Sequence, residues 1–339
     1  MRLIRSEYRI PVILLLIALP ASCAPASSGM PAINDPGRLA ASSTKPPTPT
    51  PLVPPAPSPM VTPRPRVTRV VIISIDGLRP DEIELAPMPV LQELMRTGAY
   101  SLTAQTVLPT VTLPDHSSML SGLCPSAHGV TWDTYLPENG YAVGTDPFDL
   151  AHARGLRTIM VVGKDKLQQI TEPSSLDVFQ WVNDPDPVVA RRAVELIRQG
   201  FCVLFVHFPD ADLAGHAYGW LSTMKLAALR HTDEALQILL DGLGAASMRD
   251  GTLVIVTADH GGHETTHGYN VPADMTIPWI MDGPGVIPTM LSSSINTTDT
   301  AATAAWALGL PLPPEWSGNP VLEAFGLPDS ASRPEPRCP

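Results

Sequence analysis

Four short runs of apolar, largely β-branched residues recur along the chain: RVVIISI (69–75), RTIMVV (157–162), CVLFVHF (202–208) and TLVIVT (252–257). They lack the polar alternation of a half-exposed strand, so they are predicted to be central strands buried on both faces. Between them lie MPVLQELMRTG (88–98), DPVVARRAVELIRQG (186–200) and MKLAALRHTDEALQILLDGLG (224–244). Each has apolar residues three and four apart and a glycine at its end, the pattern of an amphipathic helix with a C-terminal stop. The alternation predicts an α/β fold, a mostly parallel central sheet with helices on both faces, in one domain over 69–327, followed by a tail at 328–339.

The N-terminal part has a different pattern. Arginines at 2, 5 and 9 precede the apolar run PVILLLIALPA (11–21) and the small residues that follow it. This reads as an export signal over 1–23, too short for a comfortable membrane span. Cys23 then offers two outcomes, lipid attachment as a membrane tether or simple signal cleavage. Residues 24–68 are dominated by proline, serine, threonine and alanine. Such a stretch cannot bury a core and is expected to be a disordered or polyproline spacer.

Charge divides at the same boundary. Residues 1–68 carry seven Lys/Arg and two Asp/Glu, against fifteen and thirty-one in the remainder. An acidic domain argues against a general nucleic-acid-binding surface and suits cations. Cys124, Cys202 and Cys338 show neither metal-ligand spacing nor an even count, so neither a disulfide framework nor a zinc knuckle is expected, and Cys202 reads as a core residue. Oligomeric state is not legible.

In an open parallel sheet ligands gather where the strands end. Asp76 follows the first run, PDADLAGH (209–216) the third and ADHGGHETTHG (258–268) the fourth. One aspartate of this kind is readily a helix cap; three strand ends, two carrying histidines, point instead to divalent cations. Asp212 and His216 are four apart and share a helix face. Asp259 and His260 sit at a strand-to-loop bend, and His267 follows in a glycine-rich loop, with His263 as its possible substitute. Carboxylates and imidazoles without thiolates suit zinc, or manganese as a second choice. His207 and Asp210 are expected to orient these ligands. His128, His152 and His231 read as ordinary surface or core histidines.

The stretch PTVTLPDHSSMLSG (109–122) places Pro114 in the first turn of a helix and Thr112 just before it, where free N–H groups favour an anion. A hydroxyl there is a helix cap or, beside cations, a nucleophile. Thr110 is the second candidate.

In combination, ISIDGLRP, PTVTLPDHSSMLSGLCPSAHG, PDADLAGHAYG and VTADHGGHETTHG, between about Val70 and Val286, resemble the type I phosphodiesterase and nucleotide pyrophosphatase branch of the alkaline phosphatase superfamily. The resemblance implies an alkaline-phosphatase-like fold, two zinc ions, a covalent phospho-enzyme and a small phosphate ester as substrate, with diesters or nucleotide pyrophosphates expected over monoesters. Carried over by position, Asp212, His216 and His267 would hold one ion. Asp76, Asp259 and His260 would hold the other, with Thr112 touching it as nucleophile. Asp115 stands where the resemblance leads one to expect an asparagine against a phosphate oxygen; if ionised there, it would repel a monoester dianion more than a diester. A phosphomonoesterase of the same superfamily is the nearest alternative. A sulfatase lacks support because CPSAH is not the Cys-x-Pro-x-Arg segment. An export signal sits poorly with a glycolytic mutase, and a silent surface-tethered metal-binding protein would not need Thr112.

Overall fold

A computed structural model of the chain describes residues 66–328 and 338. The expected export signal, Cys23 and nearly all of the proline-rich stretch lie outside the described residues. Eight strands form one sheet: β1 (Arg69–Ile75), β2 (Ala99–Gln105), β3 (Thr158–Val162), β4 (Val178–Trp181), β5 (Val203–Phe208), β6 (Thr252–Thr257), β7 (Thr276–Asp282) and β8 (Thr289–Met290). Their order is β4-β3-β5-β1-β6-β7-β2-β8. The four apolar runs are the contiguous centre, β3-β5-β1-β6, all parallel. β5 and β6 are buried throughout, as continuous apolar runs covered on both faces must be.

The flanking strands are less apolar. β7 runs antiparallel to both β6 and β2 and carries Pro278, while β2 alternates buried with partly exposed residues around a register shift. β2 has one partly exposed face and so no uninterrupted pattern, whereas β7 is buried from Ile277 to Met281 and is interrupted by Pro278.

The register levels the strand ends. Ile75 pairs with Phe208, Ser74 with Thr257, and Val162 with His207, so the residues immediately after β1, β3, β5 and β6 emerge side by side. The sheet thus dictates where the site forms.

All three expected amphipathic helices are present, Pro89–Thr97, Asp186–Ile197 and Thr223–Ala245. The first has no side-chain cap of its own at Met88. Asp233, from the long helix, supplies one by accepting from the N–H groups of Val90 and Leu91 at 2.9 Å each. Gly242 lets that long helix approach the second closely, since a Cβ there would stand 2.4 Å from Val194.

One expectation fails. Cys124 and Cys338 form a disulfide across 214 residues, while Cys202 is buried in the core as expected. Local spacing carries no information about a pair so remote in sequence. Among the described residues no helix is long and apolar enough to cross a membrane.

Candidate metal centre and nucleophile

The chain leaves β1 through Asp76 and turns at Gly77, whose φ of +71° is a left-handed conformation that favours glycine. The turn aims the Gly77 N–H at Asp259 Oδ1, 3.1 Å away, which ties the end of β1 to the end of β6. After β5 the helix Asp210–Tyr218 presents Asp212 and His216 one turn apart, their Oδ1 and Nε2 separated by 3.4 Å. The loop after β6 brings His260 and His267 into a stack, ring centroids 3.7 Å apart.

Three imidazoles are fixed in the same manner. Nδ1 of His216 donates to the Thr265 carbonyl at 3.0 Å, that of His260 to Gly261 at 2.8 Å, and that of His267 to Thr110 at 2.7 Å. Because a carbonyl can only accept, each neutral ring carries its proton on Nδ1 and turns an Nε2 lone pair inward. Those lone pairs meet carboxylates. His216 Nε2 and His267 Nε2 are 3.1 Å apart, and His267 Nε2 is 3.7 Å from Asp212 Oδ1. His260 Nε2 lies 3.3 Å from Asp259 Oδ2 and 3.6 Å from Asp76 Oδ1.

These separations fit metal binding. Four ligands at about 2.0–2.1 Å around a tetrahedral zinc ion stand roughly 3.3 Å from one another. Asp76 Oδ1, Asp212 Oδ1, Asp259 Oδ2 and His260 Nε2 are moreover buried without a hydrogen-bond partner. Such orphans are costly unless a cation completes them. Asp76, Asp259 and His260 form one compact donor group, and Asp212, His260 and His267 a second, with His216 also within reach of Asp212 and His267. All six residues expected from the sequence are therefore brought together.

The electrostatics are those of crowded carboxylates. Burial pushes Asp76 upward, but Lys164 and His207 outweigh it and hold the acid well below its usual range. Burial, then the charge of Asp76, raises Asp259 to about 7. Burial lowers His267 to about 4 and keeps it neutral.

Thr112 is the first residue of the helix Thr112–Ser121, one position later in the helix than its sequence implied, and it is 1% exposed. The expected open N–H groups are partly taken: Leu113 N–H donates to Asp133 at 2.8 Å, and the same carboxylate oxygen receives Lys166 at 2.8 Å. Thr110 has a different task. Its hydroxyl donates to the Tyr269 carbonyl at 3.3 Å and accepts the Gly268 N–H at 2.9 Å, while its carbonyl orients His267, so it anchors the ligand-bearing loop.

Among the expected helpers, His207 lies 2.8 Å from Asp76 Oδ2, as anticipated. Asp210 does not orient a ligand; it accepts from the backbone N–H of Asp186 at 3.0 Å. His263 bonds Asp274 at 2.7 Å. His128 is buried against Ser118, and His152 and His231 are exposed.

Asp115 departs from expectation. It is fully buried in the first turns of the helix, its N–H bonds the Val111 carbonyl, and neither carboxylate oxygen has a partner of hydrogen-bonding geometry. Burial, reinforced by the charge of Asp259, pushes its pKa well above the ordinary carboxylate value. Burial thus works against the ionised form on which the diester argument was conditional, and outweighs the Thr106 hydroxyl and Val107 N–H that favour it.

Two residues carry weight that sequence reading did not assign. His116 is buried, donating Nδ1–H to the Thr112 carbonyl at 2.7 Å and accepting from Ser74 at 2.8 Å, which fastens the Thr112 peptide to β1. Lys164 follows β3, and its Nζ lies 2.7 Å from Asp76, 2.6 Å from Asp212 and 3.4 Å from Thr112 Oγ1. The signal for Lys164 was its position directly past a central strand, the same one that singled out Asp76.

A mostly parallel sheet that collects carboxylates and imidazoles at one edge, over a helix opened by a buried threonine, defines an alkaline-phosphatase-like protein. The chain belongs to the type I phosphodiesterase / nucleotide pyrophosphatase family, whose model matches residues 70–155 and 161–278. It is 26% identical over 224 residues to rat ectonucleotide pyrophosphatase/phosphodiesterase family member 3, covering 58% of this chain and 25% of that protein. It is also 27% identical over 304 residues to the human catalytic subunit of GPI ethanolamine phosphate transferase 2, covering 82% of this chain and 30% of that protein. The chain thus spans about a quarter to a third of these relatives' lengths. Murine ectonucleotide pyrophosphatase/phosphodiesterase 5 shares its fold with a TM-score of 0.63 at 15% identity, covering 76% of this chain and 99% of that one.

Proposed function

We propose that this protein is an exported, metal-dependent hydrolase of phosphate esters that works through Thr112. The observation that supports this best is the inward convergence of three imidazole lone pairs on buried, partnerless carboxylate oxygens beside a buried threonine. Asp212, His216 and His267 would hold one divalent ion and Asp76, Asp259 and His260 the other, with zinc favoured by the nitrogen and oxygen donor set. The ions, when bound, supply positive charge for phosphoryl oxygens and ease ionisation of the Thr112 hydroxyl.

The residues of the chain do the rest. Thr112 Oγ1 forms a bond to phosphorus as the ester P–O bond breaks, and the leaving oxygen takes up a proton. Water then adds to phosphorus, the Oγ1–P bond breaks, and the hydroxyl regains its proton as phosphate leaves from a monoester or a phosphate monoester from a diester. His116 holds the Thr112 peptide in place by its bond to the carbonyl. Thr110 keeps the His267 loop against the nucleophile's strand-to-helix turn.

Export is supported by the N-terminal sequence pattern and by the Cys124–Cys338 disulfide, since such bonds persist in oxidising compartments. The test is hydrolysis by the zinc-loaded protein of p-nitrophenyl phosphate and bis(p-nitrophenyl) phosphate. It is joined to an acid quench and mass spectrometry for phosphate on Thr112. Absence of turnover on both esters by fully loaded protein would overturn the reading.

A further inference from the structure

We propose that Trp220 is a positioning residue for the metal centre: its indole and its peptide N–H hold His216 and His267, beside Asp212, in the arrangement that receives one of the two ions. This rests on the two-ion reading above and adds to it a residue outside the donor set.

Trp220 lies just past the helix Asp210–Tyr218, and the ordinary role of a buried tryptophan is core packing. Its surroundings are of another kind. It is 7% exposed yet is not part of the continuous apolar core. Glycine backbone borders its ring: a Cβ on Gly215 would stand 2.9 Å from the indole and one on Gly262 2.2 Å, so only glycine lets the main chain come this close. Gly215 precedes His216, and Gly262 follows His260 by two residues. The indole is therefore wedged between the helix and the loop that carry the histidines.

Further contacts act on the ligands themselves. The ring stands edge-on to His216 at 5.4 Å between centroids and to His267 at 5.9 Å. The Trp220 main-chain N–H donates to the Glu264 carbonyl at 2.7 Å and so pins a non-glycine residue at φ +48°. The next carbonyl, that of Thr265, is the one that orients His216. These restraints matter most for His216, whose side chain is 44% exposed, whereas that of His260 is buried.

The two ions should not depend on Trp220 equally. Its Nε1–H donates to the Gly77 carbonyl at 3.0 Å, on the turn that follows Asp76. The same carbonyl also receives Lys225 Nζ at 2.6 Å, and that buried ammonium stands 3.1 Å from Glu82 and 4.2 Å over the indole. The turn after Asp76 keeps this anchor when the indole is lost, while His216 and His267 lose the ring against which both stand. Groups that orient metal ligands typically govern about 10–100-fold of metal affinity.

The test uses the full chain as the parent, Trp220→Leu and Trp220→Phe. Zinc stoichiometry and the two dissociation constants are measured by competition with a chromogenic chelator, and the thermal midpoint is measured in chelated protein. The visible absorption of cobalt-loaded protein reports the geometry of the donors. We expect Trp220→Leu to weaken one ion by about tenfold or more and the other by less than about threefold, and to alter the cobalt spectrum. Trp220→Phe keeps a ring beside the imidazoles but not the N–H to Gly77, so it should weaken the same ion by about threefold or more, yet less than Trp220→Leu does. Equal weakening of both ions, or of neither, would overturn the proposal. A lower midpoint with unchanged zinc affinities and an unchanged cobalt spectrum would make Trp220 a packing residue and overturn it as well. If the Leu variant does not fold, the Phe variant decides: a loss of about threefold or more confined to one ion sustains the proposal, and a smaller one overturns it. A parent that takes up no zinc would instead sink the two-ion reading itself.

Discussion

The Nε2 atoms of His216 and His267 approach to 3.1 Å although each ring has already given its Nδ1 proton to a main-chain carbonyl. Two lone pairs at that distance repel unless a cation joins them. Zinc should therefore raise the thermal midpoint and a chelator should lower it. Ligand bound only to the folded state stabilises by about 2.7 kcal/mol at one hundred times its dissociation constant. His216→Ala, Asp259→Ala and His260→Ala should each lower bound zinc and the midpoint, while exposed His231→Ala should change neither. Unchanged zinc in all three ligand variants, measured by elemental analysis, would refute the metal assignment.

Thr112 and Thr110 should separate cleanly. Thr112→Ala removes the attacking oxygen and is expected to reduce turnover at least a thousandfold while zinc content holds. Thr110→Ala leaves the carbonyl that orients His267 but strips the Gly268 N–H of its acceptor. A buried donor left unpaired costs about 1–3 kcal/mol. That variant should melt earlier yet keep turnover within about tenfold of the parent. Reversed results in the two assays would move the nucleophile to Thr110.

The parts of the fold legible in the sequence were those set by burial on both faces: β1, β3, β5 and β6 are uninterrupted apolar runs, and the residues just past three of them supply the carboxylates. β2 was hidden because a strand covered well on one face tolerates polar residues, and β7, though buried from Ile277 to Met281, because Pro278 argues against a strand between two neighbours. Asp76, Asp212, Asp259 and the three histidines were visible as clustered ligand chemistry at strand ends. Lys164 was not, since a single lysine after a strand looks like any solvated cation until β3 is known to lie beside β5. The charge of Asp115 stayed conditional because helix position alone says nothing of depth, and depth sets the charge of a carboxyl group.

His128 gives a test of the scaffold away from the metal centre. Burial lowers its pKa from 6.5 to about 4. The unfolded chain therefore binds more protons than the folded one between those values, so this contribution is intact above about pH 6.5 and is lost as pH falls toward 4. The full effect is about 3 kcal/mol. In chelated protein the difference in unfolding free energy between parent and His128→Gln should be flat above pH 7 and decline through that window. A difference independent of pH would show that His128 is not held neutral by burial.

Asp115 supplies the last prediction, and its sign follows from burial. A carboxyl group with no exposed surface, whose burial and the charge of Asp259 outweigh the Thr106 hydroxyl and Val107 N–H and push its pKa well above the ordinary carboxylate value, tends to carry a proton, so it exerts little repulsion on a nearby phosphate. Asp115→Asn then exchanges one neutral group for another of nearly the same shape. The ratio of monoester to diester specificity constants should stay within about twofold of the parent's and should not respond to salt. The amide brings a second N–H into the same buried space, and an unpaired donor there costs about 1–3 kcal/mol, so the variant should lose stability instead. If the ratio rose several-fold and the rise shrank with added salt, Asp115 would have to be ionised and open to the substrate, because only an exposed charge is screened in that way.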